Sequence, residues 1–262
     1  MDQRFEGKVA VITGGASGMG EATVLTFLRG GGKVVVGDLN VEVSTFKSFG
    51  DSVHMHQTDV GDQPQVRALI EKAVSHFGRI DCLVNNAGIG NLTATEDIQV
   101  EELDRIFRVN TASVVYACAA AIPHMRRQGG GSIVNNASTS GLFGDAGMPA
   151  YNLTKAATVN YTRSLAGAVG RDNIRVNCVC PGDVNTPMSA VLQTIPKLRS
   201  AWNAVVPLGR AAEATEIAEA IAFLLSDAAS YIHGVALPVD GGLTSQTGLT
   251  DLRPFIAEIM AE

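Results

Sequence analysis

Short apolar runs alternate with helix-period segments along the whole chain, and that alternation limits the fold more than any other feature. The runs are Val9–Thr13, Val34–Val36, Ser52–His56, Cys82–Val84, Ser132–Val134, Val176–Val179 and Val235–Val239. Their residues are mostly apolar on consecutive positions, as in strands covered on both faces. The clearest helix places Val66, Leu69, Ile70, Ala73, Val74 and Phe77 on one stripe, with Asp62 as its cap and Pro64 in its first turn. Two more helices are predicted over about Val100–Met125 and Tyr151–Val169, while Gly30–Gly32 ends the first helix and Gly129–Gly131 turns into a strand. The pattern predicts one α/β domain over residues 1–262, a doubly wound parallel sheet with helices on both faces. Ligands of such sheets sit beyond the carboxyl ends of the strands.

Composition narrows the function classes. Apolar residues make up 46% and charged residues 18%, enough hydrocarbon for one sizeable core and too little charge for a disordered chain. The net charge of −6 and the lack of a Lys/Arg run argue against a nucleic-acid partner. Residues Met1 to Gly7 are polar, unlike a signal peptide, and no uninterrupted apolar stretch approaches membrane-spanning length, so no membrane partner is expected. Cys82, Cys118, Cys178 and Cys180 read as buried thiols suited to a reducing cytoplasm. Neither Cys178/Cys180 nor His54/His56 has further ligands at suitable spacing, and no metal site is expected.

The first strand runs into Gly14-Gly15-Ala16-Ser17-Gly18-Met19-Gly20 and then a helix beginning near Glu21. Glycines there permit a tight turn and close backbone approach to a pyrophosphate, and the helix N-terminus supplies N–H groups and positive dipole. The spacing, Gly-x-x-x-Gly-x-Gly, differs from the usual dinucleotide fingerprint. Asp38, closing the second strand, is placed to accept hydrogen bonds from an adenosine ribose; the plainer alternative is a strand-end turn residue. Ser17, Leu39 and Asn40 offer no positive charge to a ribose phosphate, so the expected cofactor is NAD.

Tyr151 and Lys155 lie four positions apart on one predicted helix face. A free tyrosine titrates near 10, and one positive charge at ~4 Å and an effective dielectric of ~20 is worth ~4 kcal/mol, about three pKa units. Taken alone the pair also fits an ordinary helix surface. Ser138 follows a strand at its carboxyl end, where a hydroxyl can meet a substrate oxygen, or simply serve a turn together with Thr139 and Ser140. Asn85-Asn86-Ala87-Gly88 ends another strand, and Asn110 sits mid-helix, where asparagine is intrinsically unhelpful.

With these residues together, the chain resembles the short-chain dehydrogenase/reductase family, in its compact single-domain branch. The resemblance spans residues 6–242 and includes Thr13-Gly14-x-x-x-Gly18-x-Gly20, Asp59-Val60, Asn85-Asn86-Ala87-Gly88, Asn110, Ser138, Tyr151-x-x-x-Lys155, Pro181-Gly182 and Val239-Asp240-Gly241-Gly242. It implies a Rossmann-like, seven-stranded sheet. Asp59 and Val60 would hold the adenine, and Asn86, Ala87 and Gly88 would line the adenosine half of the cofactor. Gly14, Ser17, Gly18, Met19 and Gly20 form the phosphate turn, with Asp38 and Leu39 beside it. Lys155 would also bind the nicotinamide ribose, with Pro181 and Gly182 nearby, and Val184 and Thr186 would meet the carboxamide. Asn110 would position a water joining Lys155 to a proton relay.

The implied chemistry is hydride transfer between NAD(H) and a secondary alcohol or ketone. Tyr151 exchanges the hydroxyl proton and Ser138 orients the oxygen. The expected pocket walls run over Thr139–Met148, including Ser140, Leu142, Phe143 and Met148, and over a lid at about 188–207, including Met188, Leu192 and Trp202. Leu142, Phe143 and Trp202 also suit packing in a subunit interface or against the lid. The loop from Ser138 to Pro149 lacks basic residues and contains Asp145, whereas Lys197 and Arg199 lie in the lid. Neutral, largely hydrophobic substrates are therefore expected, with a hydroxy acid, a sugar alcohol or a non-catalytic dinucleotide scaffold as alternatives. The resemblance further implies a homo-oligomer, tetramer before dimer, and leaves the tail over residues 243–262 unassigned.

Overall fold

The computed structural model describes residues 3–248, 252–256 and 260. In chain order its elements begin β1 (Val9–Thr13), α1 (Gly18–Arg29), β2 (Lys33–Asp38), β3 (Val53–Gln57), α2 (Gln63–Phe77) and β4 (Cys82–Asn85). They continue with α3 (Val100–Phe107), α4 (Ser113–Arg127), β5 (Gly131–Asn136), α5 (Pro149–Val169) and β6 (Ile174–Pro181). The last part holds β7 (Val184–Asn185), α6 (Ala190–Gln193), α7 (Pro196–Val205), β8 (Ala212–Glu213), α8 (Ala214–Leu225) and β9 (Ala236–Val239).

Seven strands form one parallel sheet in the order β3-β2-β1-β4-β5-β6-β9. The chain winds outward from β1 to β3, then returns to add β4 on the other side of β1. This reversal opens a crevice at the carboxyl ends of β1 and β4. One face is covered by α1 and α8, which pack together; α2, α4 and α5 cover the other. The sheet residues Val11, Val35, Leu83, Ile133 and Val176 are fully buried, as a two-sided cover requires.

All seven expected strands are present with small changes of boundary, and the doubly wound architecture is as expected. On α2, Asp62 caps the helix by accepting from the Gln65 N–H at 3.0 Å, Pro64 lies in the first turn, and Gly78 ends it in the left-handed conformation. The predicted helix from Val100 runs unbroken to Arg127, with a π turn at Arg108–Ala112 between α3 and α4. By length and composition this stretch is apolar enough to cross a membrane; half of its most apolar window is buried, with Ala117, Cys118, Ala121 and Met125 in the core. The ribbon that pairs β7 with β8 has no counterpart among the expected strands.

All four cysteines are free and buried. His54, His56 and His76 cluster at the β3 edge, but among the described residues no group of three or more potential ligands is disposed to hold a metal ion.

Candidate active site

The glycine turn is shaped by close backbone contacts. Gly14 and Gly18 have φ of +63° and +55°, the left-handed region that favours glycine. A Cβ on Gly20 would fall 2.0 Å from the Gly14 carbonyl oxygen, and one on Gly14 would fall 2.7 Å from the Ala87 Cα. Positions 14 and 20 therefore have no room for a side chain, and α1 begins within the turn at Gly18, three positions before the expected start. Asn86 fastens the turn to β4: its Nδ2 donates to Thr13 O at 3.1 Å and Gly14 O at 2.9 Å, while its backbone N–H donates to Thr13 Oγ1. Asn136, which sequence reasoning missed, donates from Nδ2 to Asn86 Oδ1 at 2.9 Å. The signal was a second polar residue at the end of an otherwise apolar strand. Its own Oδ1 is buried without a hydrogen-bond partner beside Met19, an open acceptor beneath the turn.

Asp38 closes β2 beside this turn. Its Oδ2 accepts from the Ala16 N–H and its Oδ1 from the Asn40 N–H, each at 3.0 Å. Leu39 is exposed, as is Asp59, whereas Val60 is buried. A turn closed to a Cβ at positions 14 and 20, a helix N-terminus, and a carboxylate at the end of the neighbouring strand fit a dinucleotide.

The proton-handling residues meet at the ends of β4, β5 and the start of α5. Tyr151 lies in the first turn of α5, after Pro149, beside the Ser138 hydroxyl. Burial raises the phenol's pKa, interaction with the Ser138 hydroxyl opposes that rise, and the charge of Asp145 adds to it. Lys155 is buried one turn on, and its Nζ lies 5.6 Å from the centre of the Tyr151 ring and donates to Asn136 O at 2.8 Å. The ammonium thus sits over the Tyr151 ring. Burial lowers the Lys155 pKa to about 8, against the thiols of Cys180 and Cys178, which raise it.

Asn110 stands in the π turn, a helix irregularity frequent at functional sites. Its Oδ1 accepts from the Ile89 N–H at 2.8 Å, and its Nδ2 donates to Ile89 O and to Thr154 Oγ1. The side chain therefore clamps the segment after β4 to α5. A Cβ on Gly88 would lie 3.4 Å from Asn110 Oδ1 and 3.6 Å from Lys155 Nζ, so both groups face the same small space. Thr154, also missed from the sequence, is fully buried beneath this clamp.

Pro181 and Gly182 end β6, and Thr186 comes over the turn, 3.4 Å from where a Gly18 Cβ would lie. Val184 is buried, and its backbone is engaged: the N–H with the Asp183 carboxylate, the carbonyl with Ser189 Oγ at 2.6 Å and Gln193 Nε2 at 3.1 Å. Of the two expected walls, Leu142 is half-buried and packs against the small core of Ala137, Val159, Cys178 and Cys180. Phe143 and Met188 are exposed, and Met148, Leu192 and Trp202 are half-buried. Arg199 is held by Asp183 Oδ2 at 3.3 Å and Asn185 Oδ1 at 3.2 Å, away from any free role in the lid. The start of the tail docks on the lid, with Gln246 Nε2 donating to Val205 O, while residues 249–251, 257–259 and 261–262 lie outside the described residues.

Comparisons with known proteins agree with this arrangement. A family model described as enoyl-(acyl carrier protein) reductase matches residues 14–244. The 3-oxoacyl-[acyl-carrier-protein] reductase of Thermotoga maritima is 38% identical over 245 residues, covering 92% of this chain and 99% of the relative. The meso-2,3-butanediol dehydrogenase of Serratia marcescens is 40% identical over 251 residues, covering 94% and 98%. The crystal structure of levodione reductase superposes with a TM-score of 0.86 at 35% identity, over 92% of this chain and 99% of the other. With the glycine turn, the clamped Asn110 and the Ser138–Tyr151–Lys155 group all in one crevice, the chain belongs to the short-chain dehydrogenase/reductase family and is an oxidoreductase acting on CH–OH groups.

Proposed function

We propose that the protein is an NAD(H)-dependent dehydrogenase that interconverts neutral, largely hydrophobic secondary alcohols and ketones. The observation that carries this reading is the convergence of Ser138 at the end of β5 with Tyr151 in the first turn of α5 and Lys155 buried one helical turn on, its Nζ 5.6 Å from the Tyr151 ring centre. The chemistry a nicotinamide supplies when bound is acceptance or return of a hydride at the carbinol carbon. In oxidation, the deprotonated Tyr151 takes the hydroxyl proton at Oη as the C–H bond breaks, and Ser138 holds the reacting oxygen. In reduction, the protonated phenol returns that proton to the oxygen. The raised pKa of Tyr151 favours its service as the acid, and the positive Lys155 supports the phenolate during oxidation.

Glycines 14, 18 and 20 with Ser17 and Met19 would hold the pyrophosphate, Asp38 and Leu39 the adenosine ribose, and Asp59 and Val60 the adenine. Asn86, Ala87 and Gly88 would line the adenosine half, Lys155 with Pro181 and Gly182 the nicotinamide side, and Val184 with Thr186 the carboxamide. The four-residue spacing of Tyr151 and Lys155 favours a carbonyl over a carbon–carbon double bond, despite the wording of the family description. Arg199, one of the two lid cations that could meet a carboxylate, is tied to Asp183 and Asn185, which disfavours a hydroxy-acid substrate. The exposed apolar residues Val100, Phe107, Val115 and Leu153 on α3, α4 and α5 suit an assembly of identical chains, a tetramer first. The free, buried cysteines suit a cytoplasmic setting.

The test is NADH formation by purified protein over cyclic, aromatic, steroid and sugar alcohols. Turnover of neutral alcohols supports the reading. A protein that binds NAD yet turns over none of them would be a dinucleotide-binding scaffold.

A further inference from the structure

The Ser138 hydroxyl, beside Tyr151, starts a chain of hydrogen bonds. Ser138 Oγ donates to Ser140 Oγ at 3.1 Å, and Ser140 Oγ donates to the Asp145 carboxylate. The Asp145 backbone N–H in turn donates to Asn152 Oδ1 at 2.8 Å, and Asn152 Nδ2 to Met148 O at 2.7 Å. This pins the Asp145 loop to the first turn of α5, which also carries Tyr151. Ser138 and Ser140 are buried and Asp145 is exposed, so polar atoms run outward from the reacting position to solvent along one wall.

A wall built to read hydrocarbon alone has no use for this arrangement. A carboxylate only accepts hydrogen bonds, and covering it with an apolar group removes water without replacing it. The Ser138 hydroxyl donates to Ser140 Oγ, so its hydrogen is engaged there. An incoming hydroxyl that donates to Ser140 Oγ takes that acceptor position and leaves the Ser138 hydrogen for the reacting oxygen. The two serine oxygens are 3.1 Å apart, close to the separation of adjacent oxygens in a gauche vicinal diol.

We propose that Ser140 and Asp145 form a hydroxyl-binding subsite beside the reacting carbon, and that the substrates are neutral alcohols with a second hydroxyl on the adjacent carbon. This rests on the dehydrogenase reading above. The balanced reaction converts a diol to an α-hydroxyketone: the carbinol C–H passes to NAD as hydride, and its O–H proton passes to Tyr151. Ser140 and Asp145 exchange no electrons and act as specificity residues.

The experiment compares matched pairs, cis-cyclohexane-1,2-diol against cyclohexanol and butane-2,3-diol against butan-2-ol, in initial-rate series with NAD. The diol of each pair is expected to have a kcat/KM about tenfold higher or more, the size of one hydrogen bond to a charged network. Asp145→Leu and Ser140→Ala should each shrink that ratio several-fold, and Asp145→Asn, which keeps an acceptor oxygen, should retain part of it. The ratio, not the absolute rate, is the readout, so a general loss of activity cancels. Calorimetric titration of the NADH-loaded wild-type enzyme should show the same preference in binding. Equal kcat/KM within the wild-type pairs, or a preference unmoved by Asp145→Leu and Ser140→Ala, overturns the subsite. If neither member of any pair is oxidised, the dehydrogenase reading fails, and the calorimetric comparison still decides the subsite.

Discussion

Replacing Asp38 by alanine should contract the proposed preference for NAD over NADP. Both carboxylate oxygens are fixed by backbone N–H groups, of Ala16 and of Asn40, each at 3.0 Å, so the charge is held between the end of β2 and the glycine turn. A 2′-phosphate arriving there brings nearly two negative charges. At ~4 Å each like-charge contact costs about 1 kcal/mol in a water-like dielectric and about 4 kcal/mol at an effective 20, giving roughly 2–8 kcal/mol for the phosphate. Asp38 is partly exposed, so solvent screening puts the working figure at the low end. About 2 kcal/mol corresponds to roughly 30-fold in kcat/KM. Asp38→Ala removes the repulsion together with the ribose acceptor, so NAD should weaken, NADP should gain, and the ratio should fall about tenfold or more. The assay is a pair of initial-rate series with the two cofactors at saturating alcohol, on wild type and variant. Equal efficiency in the wild type, or a ratio that Asp38→Ala leaves in place, would reduce Asp38 to the turn it makes with Asn40.

Tyr151→Phe should abolish turnover while leaving NADH affinity within a few-fold, because only the proton handle is lost; fluorescence titration and initial rates separate the two, and wild-type kcat in the variant would refute the mechanism. Lys155→Met should stabilise the substrate-free protein near pH 7 while destroying activity. The folded-state pKa of Lys155 lies below its unfolded value, so the unfolded chain binds the extra proton between about 8 and 10.5, and stability rises with pH across that window. Below it the buried charge costs on the order of 3 kcal/mol, and removing it should raise Tm by several degrees. A lower Tm than wild type at pH 7, with the gap narrowing toward pH 10, would show that the hydrogen bond to Asn136 O outweighs the burial cost.

Much of this molecule was legible in its sequence because its strongest signals are local. The run Val9–Thr13 followed by glycines is one covalent stretch, and Tyr151 and Lys155 are brought together by helix periodicity alone. The signals that failed depend on contacts between distant segments. Asn110 stood out as a poor helix residue, but its π turn and its grip on Ile89 arise only when α3–α4 meets the segment after β4. Asn136 and Thr154 look like ordinary polar residues until the sheet and α5 enclose them. The contact of Leu142 with Val159, Cys178 and Cys180 likewise joins segments far apart in the chain. The two-residue strands β7 and β8 are too short to leave a periodic pattern.

The pair of amides at Asn86 and Asn136 joins β1, β4 and β5 at their carboxyl ends. Those strands carry, in turn, the glycine turn, the Ala87–Gly88 segment and Ser138. The spacing between the glycine turn and Ser138 is thus a property of a cross-braced frame, independent of the loops above it. The segments proposed to face a substrate, residues 139–148 and 188–207, are attached outside that brace. Exchange of their side chains, by natural drift or by an engineer, therefore redraws the outline of the acceptable alcohol without resetting the distance over which the reaction runs.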